Sequence, residues 1–290
     1  MNKNDDFEFM LRGMRERKAN LASFDRFANV YDETRIVPNL VLKQAFSLIH
    51  NEINLRANRV ILEAGIGTGK TCSLLSKYDA EVIGIDISSK MLRKCRERTA
   101  EISGKFGLIQ GDIMCLPFTS SNFDIAMLMH VFFFLKGWKE AIREIRRVVK
   151  PGGFLIIMDY INPPLQSRIA KKYKELHRKN SFGNGFISTL NRLILTPVYD
   201  KVARLTYKIR FSSIEKTAIS NNNETIEWTH KLQTSQSLNI FEKRPYPDYC
   251  DTPEKIQRKI MKELKKWIDE TGVGDSEEIK CVFKISIFKF

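Results

Sequence analysis

Ahead of a helical segment the chain reads Glu63-Ala64-Gly65-Ile66-Gly67-Thr68-Gly69-Lys70-Thr71, the stretch whose residue types best suit ligand chemistry. Closely spaced glycines let a backbone turn tightly and approach a ligand where a side chain would intrude. Three nucleotide-handling patterns compete for these residues. A dinucleotide site takes G-x-G-x-x-G, and Lys70 stands at its third glycine. A phosphate-binding loop takes G-x-x-x-x-G-K-[ST]; Gly69-Lys70-Thr71 completes its end, but Ala64 stands at its first glycine. The pattern E-x-G-x-G-x-G is matched in full. Two carboxylates lie farther on. Asp86 closes the apolar run before it, a position suited to accepting hydrogen bonds from ribose hydroxyls, and Asp112 follows Gly111 at the end of the next run.

The elements that must position these groups alternate. RVILEA (59–64), EVIGIDI (81–87), GKFGLIQGDI (104–113), FDIAMLMHV (123–131) and FLIIMDYI (154–161) read as strands. Between them, 70–78, 88–102 and 139–149 read as helices, the last stopped by Lys150-Pro151-Gly152-Gly153. Near-continuous apolar strands alternating with helices predict an α/β fold, a doubly wound and mostly parallel sheet. Segments 20–35 and 37–54 read as helices ahead of it. Residues 165–210 are mostly helical and basic, 225–233 alternates as a strand, 252–272 is an amphipathic helix, and 278–290 is a closing strand. The two late strands are expected to return to the same sheet. A single domain over 1–290 follows: an N-terminal helical cover (1–55), a ligand-binding core (56–161), a helical lid inserted after the fifth strand (162–224), and strands and helix completing a seven-stranded sheet (225–290).

The bulk composition sets bounds. The 290 residues are 43% hydrophobic and 28% charged, in the globular range. The first twenty residues carry charges and no apolar core, and the longest apolar stretch, Ile125 to Leu135, is far short of the roughly 20 residues that span a bilayer. A cytoplasmic protein is expected. Five scattered cysteines without a CxxC pair predict reduced thiols and no metal site. The net charge of +14 is uneven: residues 1–161 carry 24 Lys and Arg against 19 Asp and Glu, and residues 162–290 carry 24 against 15. A basic half of this kind attracts anionic small molecules, nucleic acid or a membrane surface, and it also fits solvated helix faces.

Taken in order, E-x-G-x-G-x-G, Asp86 in VIGID, Gly111-Asp112-Ile113 with Leu116-Pro117-Phe118, Phe123-Asp124 and RRVVKPGGFLIIMD resemble the class I methyltransferases that use S-adenosyl-L-methionine (SAM). They are most similar to the small-molecule group that includes quinone-biosynthesis methyltransferases. The resemblance covers about Phe24 to Tyr160 and extends loosely over 225–290. It implies a Rossmann-like fold, SAM as methyl donor and S-adenosyl-L-homocysteine as product. It places Gly65 and Gly67 beneath the methionine part of SAM, with Glu63 near its amino group. Asp86, with Ile87 beside it, would hold the ribose, and Asp112 and Ile113 the adenine. Met91 and Met129 would form apolar walls, and Tyr31 would cover the methionine end. His130, at the carboxyl end of the fourth strand, is the candidate catalytic base. The segment 165–250, with Phe182, Phe186, Tyr199, Tyr207, Phe211 and Trp228, is the expected lid over an apolar or anionic small-molecule acceptor. An RNA or protein methyltransferase docking through the basic half, a phosphate-loop NTPase and a non-catalytic SAM-binding protein remain the alternatives. Neither the acceptor nor the oligomeric state is encoded in these motifs.

Overall fold

In the computed structural model, residues 24–25, 28–29, 31–34, 36–56, 58–132, 135, 137–162, 167–181, 208–244, 249 and 252–290 are described. Five strands run parallel: β1 (Val60–Ala64), β2 (Glu81–Asp86), β3 (Lys105–Gln110), β4 (Phe123–Met129) and β5 (Val149–Asn162). Two long strands, β6 (Ser220–Gln233) and β7 (Ser276–Lys289), join antiparallel, and the order across the sheet is β3-β2-β1-β4-β5-β7-β6. This is the seven-stranded, mostly parallel, doubly wound sheet expected from the sequence. The order reverses between β1 and β4. Connections leave in opposite directions there, which opens a crevice at the carboxyl ends of these two strands.

Helices cover both faces because the central strands are apolar on both. On one face α2 (Asn39–Ile53) buries Val41, Leu42, Ala45, Phe46, Ile49 and Ile53 against Ile61, Met127, Met158 and Phe283. A short helix, α1 (Tyr31–Thr34), precedes it. On the other face α5 (Trp138–Val148) buries Ala141, Ile142, Ile145 and Val148, joined by Phe211 and Ile214 from the helical residues 208–215 (α7). The helix after β2, α4 (Ser89–Thr99), is capped by Ser88, whose hydroxyl accepts from Met91 N–H at 3.2 Å.

Two local expectations shift. The helix expected over 70–78 shrinks to α3 (Cys72–Leu75) and a 3-10 turn at Ser76–Tyr78, ended by Asp79 in a left-handed conformation. The turn at Pro151-Gly152-Gly153 is absorbed into a bulged start of β5, where Gly152 N–H donates to the carbonyl of Phe290. A side chain at Gly153 would press on the Asp124 carbonyl at 2.7 Å, so only glycine lets β5 start here.

The inserted helix α6 (Arg168–Ser181) packs with the two helices between β6 and β7, α8 (Thr234–Glu242) and α9 (Glu254–Thr271). Tyr173 anchors this layer, stacked on Phe241 with ring centroids 4.4 Å apart and donating from its hydroxyl to Gln257 Oε1 at 3.0 Å. Part of the basic face of α6 is neutralised, Lys172 by Glu175 and Lys179 by Glu263. Of the aromatic lid residues, Phe182, Phe186, Tyr199 and Tyr207 lie outside the described residues. Among those described, no helix is long and apolar enough to cross a membrane.

Asp124 ties the lower ends of three strands. Its carboxylate accepts from Val60 N–H of β1 at 2.8 Å and from Lys150 Nζ at 3.0 Å. Burial pushes this carboxyl up, but those two partners together hold it below the usual range. Because the folded value is depressed, the contribution is present at neutral pH and is lost as pH falls through that value. Asp124→Ala is expected to lower urea-unfolding stability at pH 7 by about 1–3 kcal/mol, chiefly by removing the acceptor of the half-buried Val60 N–H. The difference from wild type should shrink in acid.

Candidate functional site

The turn after β1 is held against β2, since Gly65 and Ile66 both donate their N–H to the Ile85 carbonyl, at 2.7 and 3.1 Å. Gly65 has φ +81°, and a Cβ there would collide with Val131, so the residue fits neither sterically nor conformationally as anything but glycine. Gly67 is also left-handed, at φ +56°, and the Tyr31 ring lies against the space where its Cβ would be. Backbone replaces side chains here, and the loop forms a cradle.

Glu63, at the carboxyl end of β1, points into it. The side chain is buried, and its partner is the Thr71 hydroxyl, which donates at 2.6 Å. Burial pushes its carboxyl up to about 7, and the Thr71 hydrogen bond offsets this only in part. The crevice around it is lined by Tyr31, Gly65, Lys70, Met129 and His130 and encloses about 20 Å³. Thr71 thus turns its hydroxyl inward, toward a carboxylate.

Asp86 closes β2 with both oxygens engaged: Oδ2 accepts from Gly67 N–H and Oδ1 from Ser88 N–H, each at 2.9 Å. Burial pushes it up to about 6 despite these bonds. Asp86 therefore shapes the glycine turn as well as closing the strand. Ile87 follows at the strand end, half-buried, its carbonyl accepting from Gln110. Asp112 accepts from Met114 N–H at 2.9 Å in the turn after β3, beside buried Ile113. Met91 is buried with Ala28, Phe24 and Tyr31 beneath the N-terminal segment, and Met129 lines the crevice. The structure brings Tyr31, Glu63, Gly65, Met129 and His130 to one crevice. Asp86 adjoins it through Gly67, whereas Asp112 and Ile113 stand at the neighbouring strand end.

His130 sits just past β4 in a left-handed conformation, φ 56°, its N–H donating to the Met158 carbonyl. A non-glycine residue held there marks a constrained position. The ring is buried, stacks on Tyr160 at 4.4 Å between centroids and faces Phe283 edge-on at 5.6 Å. Its Nδ1 lies 3.4 Å from Asp159 Oδ1, close enough for a carboxylate to orient the imidazole. Trp228, from the expected lid, lies beside Tyr160 at 6.1 Å, and Phe211 instead packs behind the sheet.

Several participants escaped sequence reasoning. Asp159 ends the run Leu155 to Asp159, but its pairing with His130 depends on β5 lying beside β4. Asp32 in α1 accepts from the Thr68 hydroxyl at 2.7 Å and pairs with Arg98 at 2.6 Å. Asp25 accepts from the Ser88 hydroxyl at 2.5 Å, and Glu33 pairs with Lys243 at 2.7 Å. Together these hold the N-terminal cover over the cradle. No local motif signals such contacts, because the partners are far apart in sequence. Among the described residues, no group of three or more His, Cys, Asp or Glu side chains could hold a metal ion.

Comparison with known proteins agrees with this geometry. Residues 62–157 match the family model described as a methyltransferase domain. The ubiquinone/menaquinone biosynthesis C-methyltransferase UbiE of Syntrophotalea carbinolica is 30% identical over 155 residues, covering 52% of this chain and 65% of that protein. The demethylmenaquinone methyltransferase of Tropheryma whipplei is 28% identical over 142 residues, covering 48% of this chain and 58% of that protein. The chain thus spans less than two thirds of either relative. Among solved structures, the YcgJ protein of Bacillus subtilis superposes with a TM-score of 0.51 at 18% identity, over 85% of this chain and 99% of that one, which speaks to the fold alone. Residues 62–157 are thus similar to a methyltransferase domain, and the sheet that holds them has the Rossmann-like methyltransferase fold.

Proposed function

We propose that this chain transfers the methyl group of SAM to O, N or C of a small-molecule acceptor. The observation that carries the reading is Glu63, a buried carboxyl raised to about 7 beneath a glycine cradle. A buried acid this costly to ionise is suited to a cationic ligand, which would restore its charged form. The donor amino acid bears an ammonium, and its sulfonium adds a second positive centre. Glu63 takes the ammonium, and the backbone of Gly65 and Gly67 passes beneath the methionine part. Asp86, with Ile87 alongside, accepts from the ribose hydroxyls with lone pairs left over from Gly67 and Ser88. Asp112 accepts from the adenine amine, Ile113 and Met91 pack on the base, and Met129 and Tyr31 close the methionine end.

SAM supplies a methyl already activated on a sulfonium, so the protein chiefly aligns the acceptor and excludes water. His130 removes the acceptor's proton, held in its tautomer by Asp159, and the Tyr160, Trp228 and Phe283 rings suit a planar apolar acceptor. The relatives' names, which concern quinone biosynthesis, favour such a ring. No metal is needed for this chemistry. The crevice is close to the size of a single water, so the cover must lift for the donor to enter. Its ties to Arg98 and Lys243 are partly exposed ion pairs, which contribute little and yield readily. In this reading, 1–55 is the cover, 56–161 binds SAM, 162–224 lies over the acceptor, 225–290 completes the sheet, and the protein works in the cytoplasm.

Thermal shift should show stabilisation by SAM or S-adenosylhomocysteine, abolished in Asp86→Ala and in Gly65→Arg. Stabilisation by ATP with magnesium, and not by SAM, would overturn the proposal. With labelled SAM and a host metabolite extract, His130→Ala should slow methyl transfer by about a hundredfold or more. Its SAM affinity should hold. An unchanged rate would remove His130 from the chemistry.

A further inference from the structure

On the face of the sheet opposite α2, α5 and α7 lie side by side and leave a groove of about 380 Å³. That volume is in the range of small-molecule sites. Its lining shares no residue with the cradle crevice. The floor is apolar: Trp138, Ile142 and Ile214. One wall is a single stripe of cations, Lys139, Arg143 and Arg146, at helical spacing on α5.

Some cations elsewhere on the molecule are neutralised by acidic neighbours. Arg59, Arg98, Arg147, Lys172, Lys243 and Arg244 all pair with carboxylates. Lys139, Arg143 and Arg146 form no ion pair with any described residue; Lys139 and Arg146 lie over the rings of Trp138 and Phe290. Glu144, on the same helix, feels Arg143 but spends its hydrogen bonds on Arg147 and the Leu116 N–H. The opposite wall offers the Ser213 hydroxyl, with Thr217 beside it donating its own to the Ile214 carbonyl at 2.9 Å, on the stripe that begins with Ile209, which is 57% exposed. One wall of cations outside any ion pair among the described residues, the Ser213 hydroxyl opposite and an apolar floor between them define a complementary shape.

We infer that this groove binds an amphiphilic organic anion, a phosphate, sulfonate or carboxylate head on an apolar body. The head sits between Arg143 and the Ser213 hydroxyl, its charge shared with Lys139 and Arg146, and the body lies on Trp138, Ile142 and Ile214. Guanidinium groups suit such heads because their donors form a planar fork. The ligand is a free molecule held in a groove, and its site is separate from that of methyl transfer, so the inference stands whether or not the donor is SAM.

The test uses the full chain and anilinonaphthalene sulfonate as probe, with fluorescence titration. Saturable binding is expected, weakened by added salt and unaffected by S-adenosylhomocysteine. The triple variant Lys139→Ala, Arg143→Ala, Arg146→Ala should weaken it by about tenfold or more. Ser213→Trp, which fills the groove and leaves the cations in place, should do the same, with circular dichroism confirming that both variants fold. Inorganic phosphate alone should compete only weakly, since it lacks the apolar body. Unchanged affinity in both folded variants would overturn the inference. So would sedimentation with phosphatidylglycerol vesicles in the absence of any saturable binding of the free probe, because the face would then be a membrane-docking surface.

Discussion

A carboxyl group taken out of water must be compensated, and the site is organised around how Glu63 is. The side chain ends β1 at the place where the sheet order reverses, so it is enclosed by the glycine turn, by Met129 and His130 from the next strand, and by Tyr31 from the cover. Among the described residues the Thr71 hydroxyl donates to it, and burial outweighs that bond. A protein under no functional demand would gain stability by replacing such a group with an apolar one. Keeping it is reasonable where a cation is to be received.

The rest of the crevice follows from that arrangement. Asp86 must stay close enough to accept from Gly67, which fixes the turn, and its own burial raises it to about 6. His130 is held in a left-handed conformation between Met158, Asp159 and Tyr160, all on β5, so the candidate base depends on the register between β4 and β5. That register depends in turn on Gly152 and Gly153 at the start of β5, remote from the chemistry. Ahead of α2, which is packed into the core, the cover meets the cradle through the Asp25, Asp32 and Glu33 contacts and the packing of Phe24, Ala28 and Tyr31 with Met91.

Much of this was legible in the sequence because the relevant signals are local. Apolar runs alternating with helical periodicity specify a parallel sheet, and the glycine spacing between Glu63 and Gly69 specifies a cradle. What was not legible is relational. The helix after the cradle is shorter than its periodicity implies, since Thr71 turns inward to Glu63 and Asp79 ends the 3-10 turn. The Asp159 partner of His130 is 29 residues away, and the Arg98 partner of Asp32 is 66 away. The inserted helix α6 finds its core in α8 and α9, which lie between β6 and β7. Such contacts are set by the three-dimensional arrangement and leave no motif behind.

The central claim is that Glu63 receives the ammonium of SAM, and calorimetry at pH 7 in two buffers of different ionisation enthalpy tests it most directly. A carboxyl raised to about 7 is partly protonated before binding, so a cation that restores its charged form must expel protons. Affinity should accordingly rise as pH is raised toward 8, and Glu63→Gln should bind without proton release. Binding heat that is identical in both buffers for wild type, or no heat at all with SAM and S-adenosylhomocysteine, would contradict the account.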